Sequence, residues 1–226
     1  RNWRGVARAL SAQHRVFCVD LRNHGRSPWI DSMSYAEMAA DVRALIDSEG
    51  LDRPVVIGHS MGGKTAMALA LENPASVGRL IVVDIAPVSY ADRLTPYVEA
   101  MQSITPRTTV GRAEALRQMS EKIPDAAAVG FLLQNLTVRD DHFDWRLNLP
   151  AIGAAVPALC AFPPELGLRR FDGPALLIAG SMSDYVSPGD HAAFAELFAQ
   201  ARFTQIEGAG HWVHADRPAE FLNALG

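Results

Sequence analysis

The sequence predicts an α/β protein: a mostly parallel sheet with helices on both faces and one inserted helical segment. Three observations predict it. Short apolar runs alternate with amphipathic helical stretches over the first half of the chain. From about 88 to 170 the helical patterns continue, but no buried strand separates them. The strand rhythm then resumes at Pro174-Ala-Leu-Leu-Ile-Ala179. Strands that alternate with helices fit parallel pairing, because a parallel crossover needs a long connection, and that connection covers the sheet. The expected division is a core of residues 1–87 and 171–226 and a helical cap of residues 88–170.

Each element has its own signal. Residues 2–10 read as a helix, with Trp3, Val6, Ala7 and Leu10 on one stripe. Residues 15–20, Arg-Val-Phe-Cys-Val-Asp, are rich in β formers and precede a turn-prone Asn23-His24-Gly25 loop, so a strand is expected there. Residues 34–48 carry Tyr35, Met38, Ala39, Val42, Leu45 and Ile46 at helical spacing, with Ser34 and Glu37 suited to a capping box. Pro54 to Gly58 is a short apolar strand, and Gly62 to Glu72 an Ala-rich helix stopped near Asn73-Pro74. Residues 79–83 form the next strand, ending at Asp84. Helices are expected at 92–103, 110–121, 124–135 and near 150–160, with prolines between and within them. A helix at about 188–199, a strand at 202–206 and a helix at 217–225 complete the chain.

Composition narrows the function classes. The chain has 226 residues, enough to bury a substantial core. Its net charge of −4 supplies no positive field for nucleic acid, so no nucleic-acid partner is expected. No apolar run reaches the roughly 18 residues of a membrane span. Cys18 and Cys160 form neither a zinc spacing nor a disulfide framework. With no signal peptide at the start, a cytoplasmic location is the expectation. No internal repeat or low-complexity tract is present, and no oligomeric state is assigned.

The chemistry is concentrated in Gly58-His59-Ser60-Met61-Gly62-Gly63, a G-x-S-x-G run where a strand passes into a helix. That context is the one a nucleophile elbow requires. A sharp turn exposes the serine hydroxyl above the sheet. Small residues let strand and helix approach. The Met61 N–H, at the helix start, faces a developing oxyanion. A phosphate loop would need G-x-x-x-x-G-K-[ST], which Gly58 to Lys64 does not match.

A serine nucleophile needs a base, and His211 is the best placed of the seven histidines. It follows the last strand and comes after the serine in chain order. His59 is expected to pack beneath the turn, and His24 to line the site. The group His211, His214 and Asp216 lacks the regular helix that would suit a metal, and Asp140-Asp141-His142 with Asp144 reads as a solvated turn. No metal is expected. Two residues compete to orient His211: Asp84 and Asp184, each just past a strand end, where open α/β sheets bind ligands. Spacing alone does not separate them.

At these residues the chain resembles the α/β hydrolase superfamily, and more narrowly the YbfF-type esterases and the related abhydrolase-11-type proteins. The carriers are Asp20-Leu-Arg-Asn-His-Gly-Arg-Ser-Pro28, Gly58-His-Ser-Met-Gly-Gly63, Val83-Asp-Ile-Ala-Pro87, Trp145-Arg-Leu-Asn-Leu149, Tyr185-Val-Ser187 and Gly210-His-Trp-Val-His-Ala215. The resemblance implies an α/β hydrolase fold and serine ester or thioester hydrolysis beneath a helical cap, without a cofactor. It implies Asp84 as the acid, with Ser183 in the slot after the later strand; Asp184 beside it keeps the superfamily's usual arrangement open. It also implies an opening strand and a His-Gly-x-x-Gly-type loop that donates a second oxyanion N–H. This chain starts just past that point, so those residues are expected upstream of Arg1.

The expected reaction is acyl-ester hydrolysis through an acyl-enzyme: Ser60 attacks, His211 moves the proton, and Asp84 or Asp184 steadies the imidazolium. The substrate is expected to be a small acyl ester or an acyl-CoA-like thioester, with Trp212 and His24 as pocket residues. Perhydrolase or carbon–carbon bond hydrolase chemistry, and a non-catalytic binding protein of the same fold, are the alternatives.

Overall fold

The computed structural model of the protein describes residues 3–104, 111–139 and 142–226. It divides into two compact units. One holds Arg1–Val19, Tyr35–Ser89 and Ala161–Gly226, and the other Asp20–Ser34 and Tyr90–Cys160.

The first unit is built on a parallel sheet. In chain order its elements are α1 (Arg4–Leu10), α2 (Tyr35–Ser48), β1 (Val55–His59), α3 (Met61–Glu72) and β2 (Arg79–Val83). After the second unit the chain returns as the strand Phe171–Gly180, the helix Asp190–Leu197, the strand Phe198–Ile206, the short helix Val213–Asp216 and the helix Pro218–Leu225. The sheet order is β1, β2, Phe171–Gly180, Phe198–Ile206, with every pairing parallel.

Alternation along β2 sends side chains to both faces, and four of its five residues are buried. Ile81 and Val83 join Leu176 and Ile178 in a core with Val6, Val213, Phe221 and Leu225. Val82 points the other way, toward α3, where a Cβ on Gly63 would lie 3.2 Å from its Cγ1. Helices therefore cover both faces.

Residues 15–20 form no strand. β propensity is realised only through a ladder with a neighbour, and among the described residues no strand pairs with this segment. Val19 is 46% exposed. The last strand starts at Phe198, four residues before the expected 202, because it pairs with the preceding strand from Phe171↔Phe198 onward.

The second unit contains α4 (Thr95–Ser103), α5 (Arg112–Ser120), α6 (Ala126–Leu132), a hairpin of β3 (Leu136–Arg139) and β4 (His142–Trp145), and α7 (Leu149–Cys160). In the full chain order, the later elements of the first unit are β5 (Phe171–Gly180), α8 (Asp190–Leu197), β6 (Phe198–Ile206), α9 (Val213–Asp216) and α10 (Pro218–Leu225). The expectation of helices with no buried strand between 88 and 170 did not include this hairpin. Its signal was present: Leu136 and Val138 alternate with polar residues, as do Phe143 and Trp145. The strands are four residues each, too short for the alternation to stand out, so they read as loop. Asp140 and Asp141, expected in a turn, lie outside the described residues, as do 105–110.

Residues 20–34, expected with the core, group with the second unit. The reason is a knot of hydrogen bonds around the buried Asn23. Its Oδ1 accepts from Ile30 N at 2.7 Å and Asn148 Nδ2 at 3.0 Å, and its carbonyl accepts from Asn148 N at 2.9 Å. Gly25 N also donates to the Arg146 carbonyl at 2.7 Å.

By length and composition, Leu149–Leu168 is apolar enough to cross a membrane, although Glu165 interrupts its apolar run. The α-helix itself ends at Cys160, with Pro157 inside it, and a 3₁₀ turn at Pro164–Leu168 follows. Twelve helical residues span about 18 Å against a hydrocarbon core of about 30 Å.

Candidate active site

The site is assembled at the carboxyl ends of β1, β2 and β5. Ser60 sits between β1 and α3 with φ 53° and ψ −122°. A positive φ strains a serine, and the surroundings over-determine it. Its N–H donates to the Val83 carbonyl at 3.0 Å, continuing the β1–β2 ladder, while its own carbonyl accepts from Gly63 N at 2.8 Å and Lys64 N at 3.1 Å. The turn closes only because Gly58 lacks a side chain: a Cβ there would lie 2.1 Å from the Gly62 carbonyl oxygen. Met61 opens α3, so its N–H has no acceptor in a preceding turn and carries the positive end of the helix dipole.

Asp84 is the residue after β2. It is fully buried and adopts φ 51°. Its N–H donates to Ile178 O at 2.8 Å, which fixes the backbone and aims the carboxylate across the strand ends. Three donors meet that carboxylate. Gly180 N reaches Oδ1 at 2.9 Å, His211 Nδ1 lies 2.7 Å from Oδ2, and the Ser183 hydroxyl also donates to Oδ2. A buried carboxylate needs such partners, because desolvation without them is costly.

His211 belongs to the loop between β6 and α9. That loop is drawn tightly over the end of β5: a Cβ on Gly180 would lie 2.4 Å from the carbonyl oxygens of both Ala209 and Gly210. Met182 N donates to Ala209 O at 2.9 Å, and Gly208 N to Ser181 Oγ at 2.8 Å. The imidazole is enclosed by rings. Tyr185 stacks on it with centroids 3.9 Å apart and planes 19° apart, and Trp212 meets it edge-on at 5.2 Å. His59 approaches at 4.6 Å, and its Nε2 lies 2.7 Å from the His211 carbonyl oxygen.

Of the residues singled out in the sequence, Ser60, Met61, Asp84, Ser183, His211 and Trp212 belong to the first unit and to its strand-end loops. Asp184 follows Ser183 and is exposed; the carboxylate on His211 Nδ1 is that of Asp84. His24 lies in the second unit, bridged to Leu147, with Nδ1 2.9 Å from the Arg22 carbonyl oxygen. Burial lowers its pKa. Sequence reasoning missed the Tyr185 stack and the contact of His59 Nε2 with the His211 carbonyl. Neither leaves a local signal, since each joins His211 to a residue far from it in the chain. Among the described residues, no three His, Cys, Asp or Glu side chains gather as a metal-binding group.

Two other histidines lie beneath the site. His59 is held well below the ordinary imidazole pKa by burial and by the neighbouring His211 and His214. His214 is 4% exposed and stacks on Trp3 at 4.5 Å. Burial pushes it down to about 4, with Asp216 opposing.

The chain is similar to known proteins over almost its whole length. A sequence profile described as alpha/beta hydrolase fold matches residues 1–218. The chain is 38% identical over 232 residues to a mouse protein named sn-1-specific diacylglycerol lipase ABHD11, covering 99% of this chain and 75% of that one. It is 34% identical over 221 residues to the Escherichia coli protein named Esterase YbfF, covering 97% and 84%. A solved structure titled Marine microorganism esterase superposes with a TM-score of 0.94 at 35% identity, covering 99% of this chain and 88% of that one. The chain belongs to the α/β hydrolase fold family.

Proposed function

We propose that the protein is a serine ester hydrolase that works through an acyl-enzyme, with Ser60 as nucleophile, His211 as general base and acid, and Asp84 as the orienting carboxylate. The observation that carries this reading is the 2.7 Å approach of His211 Nδ1 to the buried Asp84 carboxylate, at strand ends next to a serine held at φ 53°. The names of the mouse and E. coli relatives support the same reaction class.

The carboxylate on Nδ1 keeps the proton on that nitrogen, which leaves Nε2 free to take the Ser60 proton. The serine oxygen attacks the acyl carbon, and the oxyanion that develops is met by the Met61 N–H at the start of α3. His211 then hands its proton to the leaving alcohol. Water activated by the same imidazole attacks the acyl-enzyme and releases the acid. Ser183, by donating to Asp84, holds the carboxylate in the plane His211 needs. The substrate is a short- to medium-chain acyl ester, with an acyl-CoA-like thioester as the second candidate, and Trp212 forms an apolar wall beside the imidazole.

The test is hydrolysis of p-nitrophenyl esters from acetyl to palmitoyl, with diacylglycerol and an acyl-CoA in the same series and Ser60→Ala as control. Turnover that disappears in Ser60→Ala is expected, and the acyl chain with the highest kcat/KM defines the substrate. Undiminished turnover by folded Ser60→Ala protein overturns the proposal. One relative, from Saccharomyces cerevisiae, is named Probable alcohol acetyltransferase at 32% identity. The same acyl-enzyme would then be attacked by an alcohol in place of water, so the assay includes ethanol and a search for the ethyl ester.

A further inference from the structure

We infer that His59 is a positioning residue for His211, holding the base in place through its main chain rather than through its ring. The inference rests on the reading of His211 as the base. The bond between His59 Nε2 and the His211 carbonyl oxygen is 2.7 Å long and joins residues 152 apart in sequence. A carbonyl only accepts, so the proton of this bond sits on His59 Nε2, which fixes the tautomer of His59.

The bond links the strand that carries the nucleophile to the loop that carries the base. His59 ends β1 and immediately precedes Ser60, so its backbone moves with the nucleophile. His211 sits on a loop between β6 and α9 and makes no ladder bond of a strand. Its ring is fixed at one end by Asp84 and on one face by Tyr185. Those contacts set how the ring turns. The height of the loop above the elbow is set by the backbone, and His59 holds that backbone from the nucleophile's own strand.

The chemistry also asks that the holder stay uncharged. During turnover His211 becomes an imidazolium. A second cation with its ring centroid 4.6 Å away would oppose that charge. Burial and the two neighbouring imidazoles keep His59 neutral, so it donates one hydrogen bond and adds no positive charge. A lysine or arginine in its place would supply the donor together with a repelling charge. Among the described residues, Asp84, Tyr185, Trp212 and His214 are in ring or hydrogen-bond contact with the pair, and the Asp216 carboxylate accepts from Gly210 N beside His211.

The role predicts a particular pattern among variants of the full chain. His59→Phe keeps a ring and removes the donor. Its kcat should fall on the order of ten- to a hundredfold with KM changed less than about twofold, because a displacement of the base by about an ångström is enough. His59→Gln carries an amide N–H at a reach close to that of Nε2 and should recover kcat to within about threefold of wild type. The low-field NMR signal of the His211 Nδ1 proton should persist in the Gln variant and be lost or broadened in the Phe variant. Wild-type kcat in His59→Phe, or equal losses in Phe and Gln, overturns the inference. If His59→Phe does not fold, His59→Asn takes its place, since the shorter amide cannot reach the carbonyl; equal kcat for Asn and Gln then overturns it. Ser60→Ala run in parallel separates the two ideas: turnover surviving there removes the hydrolase reading itself, whereas its loss leaves the His59 comparison as a test of positioning alone.

Discussion

His211 and Asp84 stand 127 residues apart in sequence, yet His211 Nδ1 lies 2.7 Å from Asp84 Oδ2. The contact joins the loop after the last strand to the end of a central one. It determines which nitrogen of the imidazole is left to receive a proton.

Asp84→Asn should therefore lower kcat by about 10⁴, because an amide in place of the carboxylate favours the wrong tautomer of His211. Asp184→Asn should leave kcat within about threefold of wild type. Steady-state kinetics on a p-nitrophenyl ester decides between them. A large loss in Asp184→Asn with little in Asp84→Asn would reverse the assignment of the acid.

Ser183→Ala removes a hydroxyl that donates to the same carboxylate oxygen. A buried charge that loses one of three donors costs about 1–3 kcal/mol. The expected result is a fall of roughly tenfold in kcat, smaller than that of Asp84→Asn. Loss of activity as complete as in Asp84→Asn would show that Ser183 does more than orient the acid.

The tyrosine stack makes a separate prediction. Tyr185→Phe keeps a ring 3.9 Å over His211 and should retain most activity. Tyr185→Ala frees that face and removes its cation–π stabilisation of the imidazolium, about 0.5–2 kcal/mol. Its kcat should drop by roughly 2- to 30-fold. Equal rates for the Phe and Ala variants would remove the stack from the catalytic account.

Gly58 and Gly62 should respond in opposite ways to a methyl group. A Cβ on Gly58 collides with the Gly62 backbone, whereas one on Gly62 meets nothing within 4 Å. Gly58→Ala is expected to cost about 3 kcal/mol or more. Gly62→Ala, inside α3, is expected to be neutral or to add about 0.5–1 kcal/mol. Thermal melts of the two variants provide the comparison.

Stability should fall with pH on the acid side. His214 titrates at about 4 in the fold against 6.5 when unperturbed. Above about pH 6.5 both states are neutral and the full stability is present. As pH falls from there toward 4, the unfolded chain takes up a proton that native His214 refuses, for a loss of up to about 3 kcal/mol. His59 adds to the loss in the same direction. Neither His214 nitrogen has a hydrogen-bond partner among the described residues, so His214→Phe should be neutral or stabilising near pH 7 and should flatten the acid-side decline. Urea melts at several pH values check it; an unchanged slope in His214→Phe would rule out this histidine as the cause.

The elements legible in the sequence are those whose physics is local. The β1–Ser60–α3 elbow is written in six consecutive residues, because the strained turn, the absent side chain at Gly58 and the helix start all act within that span. The helices of the second unit follow from apolar spacing, and β2 and β5 from continuous apolar runs buried on both faces. Four features were decided by tertiary structure. Residues 15–20 have the composition of a strand and no ladder partner among the described residues. The β3–β4 hairpin exists through pairing that its short strands barely announce. The loop 20–34 goes with the second unit because Asn23 bonds to Asn148. Sequence order left Asp84 and Asp184 as rivals, and the backbone bond from Asp84 to Ile178 turns one carboxylate toward His211 while Asp184 stands exposed on its loop. Residue types and local spacing select which groups can do chemistry; which of them meet depends on strand register and loop closure, interactions between residues that the chain order keeps far apart.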